Sequence, residues 1–148
     1  MRRRTFLAAG ASMLAMPAVS RGAVNQVLRF VPQADLAVLD PIWTTTYQTR
    51  DHAFLVFDTL FGIDSTYKAQ PQMVDGYAVE DDGKRATLTL RPDLKFHDNT
   101  PVLARDCVSS IKRWGARDSY GQALLAATDE LSATDDKTIV FRLKYPFP

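Results

Sequence analysis

Leu103, Cys107, Val108, Ile111 and Trp114 recur at intervals of four, one, three and three residues. This is the spacing of a helix with one apolar face. Arg105, Ser109, Lys112 and Arg113 fall on the opposite, wetted side, and Gly115 is placed to close the helix. Such a helix must lay its face on something, and the flanking sequence offers sheets. Upstream, Tyr77 and Val79 alternate with polar neighbours. Asp81-Asp82-Gly83-Lys84 then reads as a turn, with Gly83 free to take positive φ. Thr87 to Arg91 alternates again, with Leu88 and Leu90 on one face. Pro92-Asp93 turns the chain, and Leu94-Lys95-Phe96-His97 is expected to continue it as a strand. Thr100-Pro101 announces the helix, because proline suits a first turn. Downstream lies a polar stretch and then a second hairpin. Its turn is Asp135-Asp136, and Ile139, Phe141 and Leu143 alternate on the returning strand.

Nearer the N-terminus, Val27 to Val31 is β-rich, ends at Pro32 and predicts a first strand. Residues 32–49 have little periodicity and include the turn-forming pair Asp40-Pro41. Irregular segments of this length often carry function. Asp51 is expected to cap a well-buried helix holding Phe54, Val56, Phe57, Leu60 and Phe61, stopped by Gly62.

The first twenty residues carry a different pattern. Arg2, Arg3 and Arg4 form a basic head, Phe6 to Met16 have no charge, and Pro17 leads into small residues. That is the build of a secretory signal, and its apolar run is shorter than the roughly 20 residues needed to span a bilayer. Residues 1–20 are therefore expected to be a signal peptide cleaved after Ser20, or alternatively after Ala23, leaving a domain over 24–148. Arg3, Arg4, Phe6 and Leu7 also match the twin-arginine pattern, which predicts export of a folded protein. An ordinary Sec signal with a rich basic head is the alternative. Charge fits this division. Without residues 1–20, which hold three arginines and no acid, the formal net charge passes from +1 to −2. The basic excess belongs to the signal, and no patch suited to nucleic acid remains.

Chemistry is sparse. Cys107 is the single cysteine, which excludes an internal disulfide and reads as a small core residue. His52 and His97 sit in different elements without a matching third ligand, and zinc sites need three or four. There is no glycine-rich phosphate loop and no Gly-x-Ser-x-Gly elbow. Binding is expected rather than catalysis, with no metal and no cofactor.

The order of motifs resembles one family. Val79 to Lys84, then Leu88 to Asp98, then Thr100-Pro101 and Ala104 to Arg113 are similar to the extracellular solute-binding proteins, family 5. This family includes dipeptide-, oligopeptide- and nickel-binding proteins of ABC importers. Leu39-Asp40-Pro41 and Leu60-Phe61 fit its opening, and Asp136 to Lys144 fits the hairpin before its proline-rich link. Three positions depart from the pattern. Asn99 stands for a usual Gly, Leu103 for a capping Thr, and Arg105 for a common Glu. Loss of the cap is worth about 1 kcal/mol.

The resemblance implies an α+β fold: the N-terminal part of a two-lobed periplasmic binding protein, a class II-like clamp, with an extra α+β subdomain. The family chain is several times longer, and the close at Tyr145-Pro146-Phe147-Pro148 reads as a truncation. Ligand contacts are implied for the loop Pro32, Gln33, Ala34 and Asp35, and for Thr46 and Tyr47 at the approach to the first helix. Backbone groups there would pair with an extended peptide as an added strand does. The implied role is a periplasmic, monomeric receptor that hands peptides or other small solutes to ABC permease subunits at the inner membrane. The alternatives are a nickel chelate, sugar oligomer or opine as cargo, or an exported enzyme or sensor domain reusing the fold.

Overall fold

The computed structural model describes residues 28–147. The chain divides into two units, Met1–Val31 and Pro32–Pro148. Arg3, Arg4, Phe6, Leu7 and both cleavage positions lie outside the described residues. In the first unit, Leu28–Val31 forms no strand, against the expectation from its composition. A strand needs a neighbour to take its amides and carbonyls, which β-rich composition alone does not supply.

The second unit opens with the irregular segment and then helix α1, Tyr47–Val56. It starts at Tyr47 rather than Asp51, with Thr46 as its extended cap residue. It ends at Phe57, which is also extended, so Phe61 leaves the helix and enters a strand. The expectation of a well-buried helix fails: Phe54 is 74% and Leu55 86% exposed, and Thr49 is the helix's buried residue. Phe54, Leu55, Val56 and Phe57 are consecutive, so successive steps of about 100° fan them around the axis instead of stacking them on one side.

Strands β1 (Phe61–Ile63) and β2 (Ala69–Pro71) form a small antiparallel hairpin that the sequence pattern did not announce. Its turn is organised by Asp64. Oδ1 accepts from the Thr66 amide at 2.8 Å, the Thr66 hydroxyl at 2.7 Å and the Lys68 amide at 3.1 Å. Oδ2 accepts from Gln70 Nε2 at 2.8 Å. These donors, led by the Thr66 hydroxyl, hold the Asp64 carboxyl well below the usual carboxylate range.

A four-stranded antiparallel sheet follows, built from β3 (Val74–Glu80), β4 (Arg85–Leu90), β5 (Thr128–Ala133) and β6 (Thr138–Leu143), in the order β3-β4-β6-β5. The first turn is where it was expected, and Asp81, Asp82 and Gly83 are all left-handed, at φ 52°, 51° and 84°. In the second turn, Asp135 Oδ1 accepts from the amides of Lys137 and Thr138, both at 2.8 Å.

Register places Leu88 opposite Ile139, Ala86 opposite Phe141, and Leu131 opposite Phe141, all on one face. Helix α2, Ala104–Gly115, covers that face. Cys107 and Val108, as the helical spacing predicted, and Ala104, which it did not single out, pack with Leu88, Leu90, Leu131 and Ile139 into the core, with Ile111 against it. The valine, leucine and isoleucine side chains among them each contribute about 1.5–3 kcal/mol on burial.

The approach to α2 differs from expectation. Leu94–His97 does not run on as a strand. Lys95 makes a single bridge to Pro101, and the chain between them loops tightly through Asn99 at φ 69°. Proline's place is thus in that bridge and not in the first helical turn. The missing hydroxyl cap at Leu103 is offset in two ways. Asp106 Oδ2 accepts from the Leu103 amide at 2.9 Å, and the Asp136 carbonyl accepts from the Ala104 amide at 2.8 Å.

The polar stretch after α2 contains helix α3, Ser119–Ala127. Asp118 caps it, accepting from the Tyr120 amide at 2.9 Å and the Gly121 amide at 3.1 Å. It crosses α2 at two buried glycines, Gly115 and Gly121.

Candidate functional site

Residues 32–46 run without helix or strand, and their hold on the rest of the unit comes from a few identifiable contacts. The Thr49 hydroxyl, on the first turn of α1, donates to the Val38 carbonyl at 2.6 Å. The Thr46 hydroxyl in turn donates to Thr49 Oγ1 at 3.2 Å. Asp40 makes a local turn, Oδ1 accepting from the Ile42 amide at 3.0 Å and its carbonyl accepting from the Trp43 amide at 3.1 Å. The same carboxylate takes both Nη atoms of Arg113 on α2. Arg113 is the first reason, and the Ile42 amide the second, that Asp40 is held below the usual carboxylate range. Three residues on, the Trp43 ring lies under the Arg117 guanidinium at 4.1 Å from its centroid.

The residues implied as ligand contacts sit at the two ends of this segment. Pro32, Gln33, Ala34 and Asp35 are all exposed, and the Ala37 amide closes a tight turn onto the Asp35 carbonyl at 3.1 Å. Thr46 and Tyr47 are exposed as well, with the Tyr47 ring carrying the Arg50 guanidinium at 4.5 Å. Solvent thus reaches Gln33 and Ala34, whereas the Asp35 carbonyl is taken and Pro32 has no amide to donate, and the Tyr47 ring is exposed beside Arg50. Thr49 ties Val38, which lies between these two groups, to the helix that bears Tyr47. The ties at Asp40, Trp43 and Thr49 carried no signal in the sequence. Asp40 read as a turn residue and Arg113 as part of a solvated face, and the two are 73 positions apart.

An apolar groove of about 1380 Å³ lies elsewhere in the unit, between Phe54–Phe57 and the α2 side of the sheet. None of Pro32, Gln33, Ala34, Asp35, Thr46 or Tyr47 lines it. The Cys107 thiol on its wall is pushed up by burial, with Asp106 adding to the shift, so it is not a ready nucleophile. Asp98, beside His97, is committed to Thr100, accepting from its hydroxyl at 2.7 Å and its amide at 2.9 Å. Among the described residues no three His, Cys, Asp or Glu side chains are grouped to hold a metal. Among them, too, no helix is long and apolar enough to cross a membrane.

The model of the bacterial extracellular solute-binding proteins, family 5 (middle region), matches residues 68–148, more than half of the chain. A probable peptide ABC transporter periplasmic-binding protein of Sinorhizobium fredii, y4tO, is 42% identical over 95% of this chain and 27% of its own length. The glutathione-binding protein GsiB of Pectobacterium atrosepticum is 30% identical over 98% of this chain and 28% of its own. The chain therefore spans little more than a quarter of these relatives. Among solved structures, MoaA from A. tumefaciens in complex with mannopinic acid matches with a TM-score of 0.67 at 24% identity, over 77% of this chain and 24% of that one. OppA of Haemophilus influenzae, in complex with the peptide RPPGFSPFR, matches with a TM-score of 0.60 at 24% identity, over 74% and 25%. The α+β fold described above is that of the corresponding part of these two-lobed periplasmic binding proteins.

Proposed function

The chain belongs to the bacterial extracellular solute-binding proteins, family 5, and from that premise we propose that it is the N-terminal part of the periplasmic substrate-binding component of an ABC importer for peptides. The observation that carries the cargo is the 42% identity, across 95% of the chain, with the peptide-transporter protein of Sinorhizobium fredii. Fold alone does not select a cargo. Receptors crystallised with mannopinic acid and with a nonapeptide are equally distant from this chain, at 24% identity each.

On this reading, residues 1–20 direct export, by the twin-arginine route, and are removed in the periplasm. The exposed backbone at Pro32–Asp35 pairs with an extended peptide, and Thr46 and Tyr47 border it. The lobes close because ligand contacts favour the closed state over the open one, and the closed receptor delivers its cargo to the permease. No bond is made or broken. The receptor acts as a monomer.

The test is native mass spectrometry of the full-length receptor purified from its own periplasm, followed by calorimetry with the peptides that co-purify. Peptide masses and saturable binding without hydrolysis are expected. A co-purified opine, sugar or metal chelate would replace the cargo, and turnover of a peptide pool would replace the receptor reading with an enzyme. Residues 24–148 alone should bind peptide negligibly, since most of the pocket lies in the remainder of the longer chain. Micromolar affinity of that fragment would show the site to be placed wrongly. Lysines in place of Arg3 and Arg4 should block export, and an unchanged periplasmic yield would assign the chain to Sec.

A further inference from the structure

We propose that Arg113 and Arg117 are positioning residues that clamp residues 36–46 to the end of α2, and so set where Pro32–Asp35 and Thr46–Tyr47 meet the solute. The ligand part of this inference rests on the peptide-receptor reading above. Its structural part does not.

Three observations carry it. The segment has no ladder of its own to hold it, so its course is decided by side-chain ties. Two of those ties go to one place on the sheet-and-helix body. Arg113 sits on the last turn of α2, and Arg117 lies on the turn beyond, its amide still bonded to the Trp114 carbonyl at 3.0 Å. Arg117 follows Arg113 by four residues, in the turn that leaves the helix, and the two arginines meet partners only three apart, Asp40 and Trp43. The Asp40 turn presents carboxylate and indole to that edge together. Both contacts also suit arginine in particular. Asp40 is gripped by two Nη atoms, a fork that lysine lacks, and the indole is covered by a flat guanidinium. The negative end of the α2 dipole favours cations at this location.

The consequence concerns position more than stability. Arg113 and Asp40 are half exposed, with side chains 55% and 35% accessible, and exposed pairs add little to folding. Two ties on adjacent turns nevertheless remove the freedom of a loop to swing about a single one. With Thr49 holding Val38 on the other side, the segment is fixed from both directions, just inside the two groups of ligand contacts.

The experiment uses the full-length receptor with Arg113→Ala, Arg117→Ala, both together, and the swapped pair Asp40→Arg with Arg113→Asp. Hydrogen exchange read by mass spectrometry reports the loop directly, and calorimetry with a co-purified peptide reports the site. The double variant should exchange about tenfold faster at the bonded amides of the Asp40 turn, Ile42 and Trp43, with little change elsewhere. It should bind peptide about three- to tenfold more weakly, at an unchanged unfolding midpoint. The swapped pair should recover only part of the Arg113→Ala losses, because it also gives up the Asp40 turn to the Ile42 amide. Unchanged exchange in the double variant overturns the clamp. Faster exchange with unchanged affinity overturns its positioning role. If the wild-type receptor takes up no peptide, the peptide reading fails, and the clamp is judged on loop exchange alone.

Discussion

Gly121→Ala turns the crossing of α2 and α3 into a measurable free energy, and the sign of the effect is the informative part. In an exposed helix interior, alanine in place of glycine stabilises by about 0.5–1 kcal/mol, because glycine loses more backbone freedom on folding. At Gly121 a Cβ would lie 2.6 Å from Gly115 Cα, 3.1 Å from Gly115 N and 3.1 Å from Trp114 Cδ2. Two of these three neighbours are backbone and cannot rotate away. Restoring ordinary contact, about 3.5–4.0 Å between carbons, requires the helices to part by about 1 Å. Overpacking of this kind costs about 1–3 kcal/mol, which outweighs the entropic gain. A net loss of about 1–2 kcal/mol is expected for Gly121→Ala. Gly76 supplies the control, since a Cβ there meets nothing within 4 Å. Gly76→Ala should be neutral or stabilising by up to about 1 kcal/mol. Urea unfolding followed by tryptophan fluorescence measures both, Trp114 being part of the contact. A Gly121→Ala midpoint at or above wild type would refute the argument, and would mean that α2 and α3 part without cost.

Other outcomes follow from the core and from the carboxylates. Ile139→Ala, at a fully buried position in a central strand, should cost about 2–5 kcal/mol in urea unfolding; a loss below 1 kcal/mol would contradict the packing described. The Cys107 thiol, buried and pushed up in pKa, should react slowly with a disulfide reagent at pH 8 and quickly in denaturant; fast native labelling would contradict its burial. Asp40, Asp64, Asp98 and Asp135 all have folded pKa values below the ordinary 3.8. The unfolded state therefore takes up protons first as pH falls, and the stability these groups contribute is present above pH 3.8 and lost as pH drops through their folded values. The urea midpoint should accordingly decline below about pH 4, and a flat or rising midpoint would count against these hydrogen bonds.

How far the sequence could be read depended on whether the signal was local. The α2 face was legible because Leu103 to Trp114 repeats with helical period over three turns. The Asp81-Asp82-Gly83 turn and the Asp135 turn were legible because turn chemistry is written within four residues. Helix α3 was missed. Gly121 lowers its propensity, and Ala123 to Ala127 has no polar side to reveal an apolar one. Its signal was Asp118 followed by an alanine- and leucine-rich run. The boundaries of α1 were misjudged because Phe54 to Phe61 contains enough apolar residues to satisfy a helical period by chance, while Phe57 turns extended and Phe61 pairs with Pro71. The candidate site was legible only as a segment. Its irregularity made residues 32–49 a candidate, but the ties from Thr49, Arg113 and Arg117 depend on tertiary proximity that no spacing encodes.

The strand order β3-β4-β6-β5 also sets a timetable. Each hairpin, β3 with β4 and β5 with β6, joins neighbours in the chain and can close within microseconds. The seam between β4 and β6 pairs residues such as Leu88 and Ile139, about fifty positions apart, with both α2 and α3 in the intervening loop. Assembly should therefore wait on the meeting of two ready-made hairpins, and the pace should be set by side chains along that seam. In stopped-flow refolding, Leu88→Ala, which weakens that seam, should slow the folding limb, and an unchanged folding rate would refute the order of assembly. The line where the two hairpins join would then be both the middle of the finished sheet and its latest-formed part.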